Sequence, residues 1–167
     1  MEQTAITILN AHRIMAISTL RPDGWPQTTI VGYANEGFDI FFLIFRSSQK
    51  FANISHDDRV SVAVGEEPES LAELNAVYAG ARAQEITEPN QRAYAWRLLT
   101  QRHPNLTGFE PPRTSETALM RATCEHISVL DFSQGFGHTE KLTIGDGGTA
   151  IRSGPRNDDW GLSAAGQ

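Results

Sequence analysis

The apolar positions of the chain change period repeatedly, and each change marks an element. Residues 2–14 carry apolar groups at Ile6, Leu9 and Ile14 with Ala5 and Ala11 between them, which predicts an amphipathic helix. Met15–Leu20 is short, includes β-branched residues and predicts a strand. Arg21-Pro22-Asp23-Gly24-Trp25-Pro26 predicts a turn, because proline fixes one backbone angle and Asp-Gly tolerates positive φ. Gln27–Ala34 then reads as the returning strand, and Asn35-Glu36-Gly37 as a second tight turn. Phe38–Phe45 is almost purely apolar and too short for an ordinary helix, the pattern of a strand buried on both faces. Three successive antiparallel strands make a meander, the opening of a barrel or sandwich.

Beyond Phe45 the chain turns polar, and Phe51-Ala52-Asn53-Ile54 has apolar groups at helical spacing until Asp57-Asp58 interrupt it. Arg59–Val64 alternates like a strand, and Gly65–Ser70 is an acidic loop. Leu74–Thr87 reads as a long strand in which Gly80 and several alanines permit close backbone approach. Thr87-Glu88-Pro89 opens a helix to about Arg102, with Ala93, Trp96 and Leu99 on one stripe, and His103-Pro104 ends it. An irregular Pro-containing loop, Leu106–Ser115, leads to Thr117–Phe132, the last barrel strand. Leu142-Thr143-Ile144 predicts a short additional strand, and Gly, Ser, Asp and Asn dominate from Gly145 onward. These patterns alone give a β-rich barrel or sandwich with flanking helices. A domain over 1–144 and a flexible C-terminal tail over 145–167, free or lying on a partner subunit, is the expected division.

Composition narrows the function. A formal net charge of -6 argues against general nucleic-acid binding, which requires a basic face, but leaves room for a local basic pocket. The single cysteine, Cys124, excludes an intrachain disulfide and, in a strand-like run, reads as a buried inert thiol. The histidines show no ligand spacing with each other or with carboxylates, so no metal site is expected. With no long apolar span, a cytoplasmic protein that does not enter membranes is the expectation.

The chemistry concentrates where the apolar run of Phe38–Phe45 empties into Arg46-Ser47-Ser48-Gln49-Lys50 at a helix start. Backbone N–H groups at a helix N-terminus, two hydroxyls and two cations are suited to a phosphate. This stretch resembles the pyridoxamine 5′-phosphate oxidase-like family of FMN-binding split β-barrels, in which a Ser-Arg-Lys-type turn holds the FMN phosphate. The matching residues are Ser48-Gln49-Lys50, followed by Asp57-Asp58-Arg59-Val60-Ser61-Val62. Leu20–Val31 is similar to the family's Asp-Gly-x-Pro turn and flavin-facing second strand, and Tyr78–Ala83 to its Gly-x-Ala fifth strand.

The resemblance implies a mainly β, six-stranded antiparallel Greek-key split barrel with flanking helices, forming a homodimer with FMN sites at the interface. It implies a cofactor site at Thr28, Thr29, Ile30 and Val31, whose strand offers backbone groups to the ring, and at Phe45, Arg46, Ser48, Gln49 and Lys50. Arg46, Ser48 and Lys50 would hold the phosphate, and Gln49 would bond a phosphate or ring oxygen. Phe136, flanked by two glycines, and His138 form a segment suited to lie on a bound ring, and His138 is the one side chain to test as an acid or base. Three departures narrow the expectation. Gln49 stands where the family carries arginine, Ile44 where a threonine is often found, and the Arg-rich C-terminal substrate motif of true pyridoxamine phosphate oxidases has no counterpart. The expected function is therefore an FMN-dependent oxidoreductase acting on a small molecule, not vitamin B6 oxidation as such. Two alternatives stay open: a non-catalytic binder or carrier of flavin, F420 or haem, and a structural dimer with an empty pocket.

Overall fold

The computed structural model describes residues 1–145 together with the backbone of Ala150–Asn157. Six strands close on themselves: β1 (Ile14–Leu20), β2 (Pro26–Glu36), β3 (Asp39–Phe45), β4 (Arg59–Gly65), β5 (Asn75–Glu85) and β6 (Thr117–Asp131). Their order is β3-β2-β1-β4-β5-β6, and β6 returns to pair with β3, with Asp39 opposite Thr123 and Phe45 opposite Thr117. Every neighbouring pair is antiparallel. The predicted barrel and its meander are therefore present. Beyond β6 the sheet continues through β7 (His138–Ile144) and β8 (Ala150–Asn157). The strand predicted at Leu142–Ile144 thus begins earlier, and part of the segment read as a tail pairs its backbone with β7.

Period-two alternation builds the interior. Ile17, Tyr33, Ile40, Phe42, Val62, Val77, Met120 and Ile127 point into one fully buried cluster. β3 is buried on both faces, as its unbroken apolar run predicts. Ile40, Phe42 and Ile44 face the barrel, while Phe41 packs with Ala34, Ile86, Leu119 and the helix outside it. Cys124 lies inside the barrel, where burial pushes its thiol up to about 12, so it is not a ready nucleophile.

Three α-helices among the described residues flank the barrel: α1 (Glu2–Ala11), α2 (Gln49–His56) and α3 (Pro89–Arg102). α1 stops short of the predicted residue 14, because His12 is already extended and Ile14 opens β1. It is held by the Tyr33 hydroxyl, which donates to the Leu9 carbonyl at 2.7 Å, and by Arg102, which donates to the carbonyls of Leu9 and His12 at 3.0 and 2.8 Å. Arg102 thus places a cation over carbonyls at the C-terminal end of α1. α3 is capped by Glu88, whose carboxylate accepts from the amides of Asn90 and Gln91, with Pro89 in the first turn. Its buried stripe is Ala95, Trp96 and Leu99; Ala93, predicted on that stripe, is exposed. β5 and β6 slip register between Gly80 and Ala81, a bulge that bends the long pair around the barrel.

Candidate cofactor site

α2 begins where β3 ends, and Ser48 makes the junction. Its hydroxyl donates to the Phe45 carbonyl at 2.6 Å and accepts from the Phe51 amide at 3.2 Å, capping the helix. The amides of Gln49 and Lys50 lie in the first turn, ahead of the intrahelical bonds, and are available at the N-terminus. The Lys50 ammonium is half-buried and has no acidic partner among the described residues. Burial lowers its pKa from the ordinary lysine value. A desolvated cation beside two open amides suits an anion.

A relay of side chains joins this turn to β2. The Gln49 amide nitrogen donates to Asn53 Oδ1 at 2.8 Å. Asn53 is fully buried, and its Nδ2 donates to Thr19 Oγ1 at 2.9 Å and to Gln27 Oε1 at 3.1 Å. Gln27 immediately precedes Thr28–Val31. The structure therefore brings Ser48, Gln49 and Lys50 alongside the start of the segment expected to face the ring.

That segment has a free edge. Pro26–Gly32 of β2 pairs with β1, whereas β3 pairs only with Tyr33–Glu36. The backbone of Thr28–Val31 thus carries no strand on its second side among the described residues, leaving alternate N–H and C=O groups unpaired. Ile30 is 65% exposed, Thr28 donates to or accepts from Ser18 at 2.7 Å, and Val31 packs against the core. Thr29 Oγ1 is buried with no hydrogen-bond partner among the described residues. A buried hydroxyl without a partner is costly, and a polar ligand would relieve it.

Other expected residues are placed differently. Arg46 directs its guanidinium at Glu85 in a bidentate pair and at the Thr114 carbonyl (2.6 Å), and stacks on Phe51. It is committed to tying β3 to β5 and to the Pro-containing loop. Phe45 is exposed, on the face of β3 opposite Ile44. His138 pairs with Glu140 at 3.1 Å and stands beside Thr139, which pairs with Leu130; Phe45 pairs with Thr117 at the other end of β6. Within one chain the structure does not bring His138 to the turn. Phe136 packs on Phe132, with ring centroids 5.0 Å apart. Sequence reasoning missed Asn53, Thr19 and Gln27. Asn53 lies four residues after Gln49, on the same helix face, which is the one signal that pointed to it.

The sequence and the six-strand closure match a known family. A family model described as pyridoxamine 5′-phosphate oxidase matches residues 1–131. The chain belongs to the pyridoxamine 5′-phosphate oxidase family. Solved structures share its fold at low identity. A haem-binding protein from Mycobacterium smegmatis superposes with a TM-score of 0.73 at 16% identity, covering 85% of this chain and 57% of that one. The chain thus spans little more than half of that protein. A FAD-binding protein from Mesorhizobium loti gives 0.61 at 21% identity, covering 76% and 91% of the two chains. General Stress Protein 26 from Bacillus anthracis gives 0.62 at 18% identity, covering 77% and 92%. No curated protein matches the chain by sequence.

Cavities among the described residues lie away from the turn. One of about 380 Å³ sits between α3 and the loop of Pro111 and Pro112, and one of about 330 Å³ on the outer face of β1, β2, β4 and β5. No helix among the described residues is long and apolar enough to cross a membrane.

Proposed function

We propose that this member of the family is a flavin-binding oxidoreductase. Its ring system would lie along the free edge of Thr28–Val31 and its phosphate would enter at Ser48–Lys50. The observation that carries the reading is the Gln49–Asn53–Gln27 relay, which fixes the anion-binding turn against the unpaired strand edge. When bound, a flavin supplies the hydride or electron transfer. The protein's residues position it. Lys50 and the first-turn amides hold the phosphate, and the unpaired backbone of β2 offers N–H and C=O groups to the ring edge. The Thr29 hydroxyl is a further donor or acceptor for a polar atom brought beside it.

The described chain leaves that edge open on one side, which accords with a second copy completing the site. Ile14, Ile30 and Tyr78 are 60%, 65% and 44% exposed around the cavity floored by Ala16 and Ala63, an apolar face suited to self-association. The proposed assembly is a homodimer acting on a small molecule.

The test is an absorption spectrum of the purified protein after FMN is added and excess removed. Retained flavin bands, followed by NAD(P)H-driven turnover, support the oxidoreductase. Retained bands without turnover under any donor support a carrier. A protein that retains no flavin refutes the reading, and F420 and haem are then the ligands to titrate.

A further inference from the structure

The charges around the turn can be counted. Residues 46–59 include three full cations, Arg46, Lys50 and Arg59. Arg46 is paired with Glu85, and Arg59 donates to Asp57 at 2.9 and 2.6 Å. Asp58 is taken by Arg82 at 2.7 Å. Each of these groups is neutralised, which leaves Lys50 as a single positive charge. Gln49, at the first position of α2, adds donors without charge, and its amide is oriented by Asn53. The net charge of -6 on the whole chain makes every additional negative charge on a ligand less welcome.

Phosphates differ in how much charge they bring. A phosphomonoester has a second pKa of about 6 and is close to a dianion at neutral pH. A phosphodiester carries one negative charge at any such pH. Resting on the flavin reading above, we infer that this turn is matched to a singly charged phosphodiester rather than to a phosphomonoester dianion, and that Gln49 sets the preference. One ammonium neutralises one diester charge, and the Gln49 amide and the two open backbone N–H groups satisfy oxygen lone pairs without adding charge. A phosphomonoester at the same place keeps a second negative charge that no side chain of the turn balances. An arginine at residue 49 would supply that missing charge at the N-terminal end of α2.

The experiment compares three probes by flavin fluorescence titration at pH 8: riboflavin, FMN, and the methyl ester of FMN, which keeps the ribityl chain and removes one charge. Wild-type protein is expected to bind the methyl ester at least as tightly as FMN, and both more tightly than riboflavin. Gln49→Arg is expected to shift the FMN-to-ester preference toward FMN by about tenfold or more, the scale of a charge-assisted contact. Gln49→Lys should shift it the same way. Gln49 is exposed on the first turn, so either side chain has room, and urea unfolding of both variants checks that Asn53, whose Oδ1 loses the Gln49 donor, keeps its place. Wild-type protein that binds FMN about tenfold more tightly than the ester overturns the inference and leaves the flavin reading standing. Variants that do not alter the ratio remove Gln49 from the role. Failure of all three probes to bind overturns the flavin reading and this inference with it.

Discussion

Asn53 is the residue on which the architecture of the turn depends, and its removal has a calculable cost. The side chain is fully buried and makes three hydrogen bonds, to Thr19, Gln27 and Gln49 at 2.9, 3.1 and 2.8 Å. Asn53→Ala deletes all three. Gln49 is exposed and Gln27 half-buried, so both recover water. Thr19 is 4% exposed, so its oxygen loses a donor that water cannot replace. That loss costs about 1–2 kcal/mol, and the space left by the amide adds about 1 kcal/mol, for a total of about 2–3 kcal/mol. Equilibrium urea unfolding of the ligand-free protein reads this directly. A cycle with Thr19→Val isolates the shared bond, with an expected coupling of about 1 kcal/mol. Flavin titration of the same variant should show weaker binding, because Gln49 and Gln27 lose their common anchor. A destabilisation below about 0.5 kcal/mol, or zero coupling with Thr19, would refute the claim that this relay organises the site.

Three further outcomes are expected. Lys50→Met should weaken flavin binding about tenfold or more, since a charged phosphate contact contributes roughly 1.5–3 kcal/mol. It should leave urea stability at pH 7 unchanged or slightly higher, because burial disfavours the charged lysine and no acid partner offsets it; a joint loss of stability and binding would make Lys50 structural. Arg46→Lys should lower stability by about 1–2 kcal/mol by breaking the bidentate pair with Glu85, while flavin affinity changes less than twofold; a large affinity loss with intact stability would return Arg46 to the phosphate. Asp57 is held well below the ordinary carboxylate range by the Arg59 guanidinium and amide, so its contribution is present above the unfolded carboxylate pKa and lost as pH falls through the lower folded one. Asp57→Asn should therefore flatten the acid limb of stability against pH, and an unchanged acid limb would count against the pairing.

The sequence by itself determined the strands and turns, a barrel or a sandwich by pattern alone; the pairing of β3 with β6 that closes the barrel is long-range. Period-two runs in Met15–Leu20, Arg59–Val64 and Leu74–Thr87, the Asp-Gly turn, and the unbroken apolar run of β3 are local signals. Each reports the environment of a short segment through side-chain size and alternation. The Ser48–Lys50 turn was legible for the same reason, since capping chemistry and helix start lie within a few residues. Errors fell at the end of α1, which stopped at Ala11, and in the phase of α3, where Ala95 replaced Ala93 on the buried stripe; helical phase is set by what the helix packs against.

Tertiary structure alone decided which polar groups were free to act. Arg46 and Lys50 are four residues apart and look equivalent in sequence. Glu85, 39 residues away, claims one and leaves the other. Asn53 reads as an ordinary helix residue until Thr19 and Gln27 converge on it from two other strands. His138 is separated from the turn because β6 carries their pairing partners at its opposite ends. Charge and donor type are properties of the residue, but availability depends on long-range pairings that close only when the barrel does.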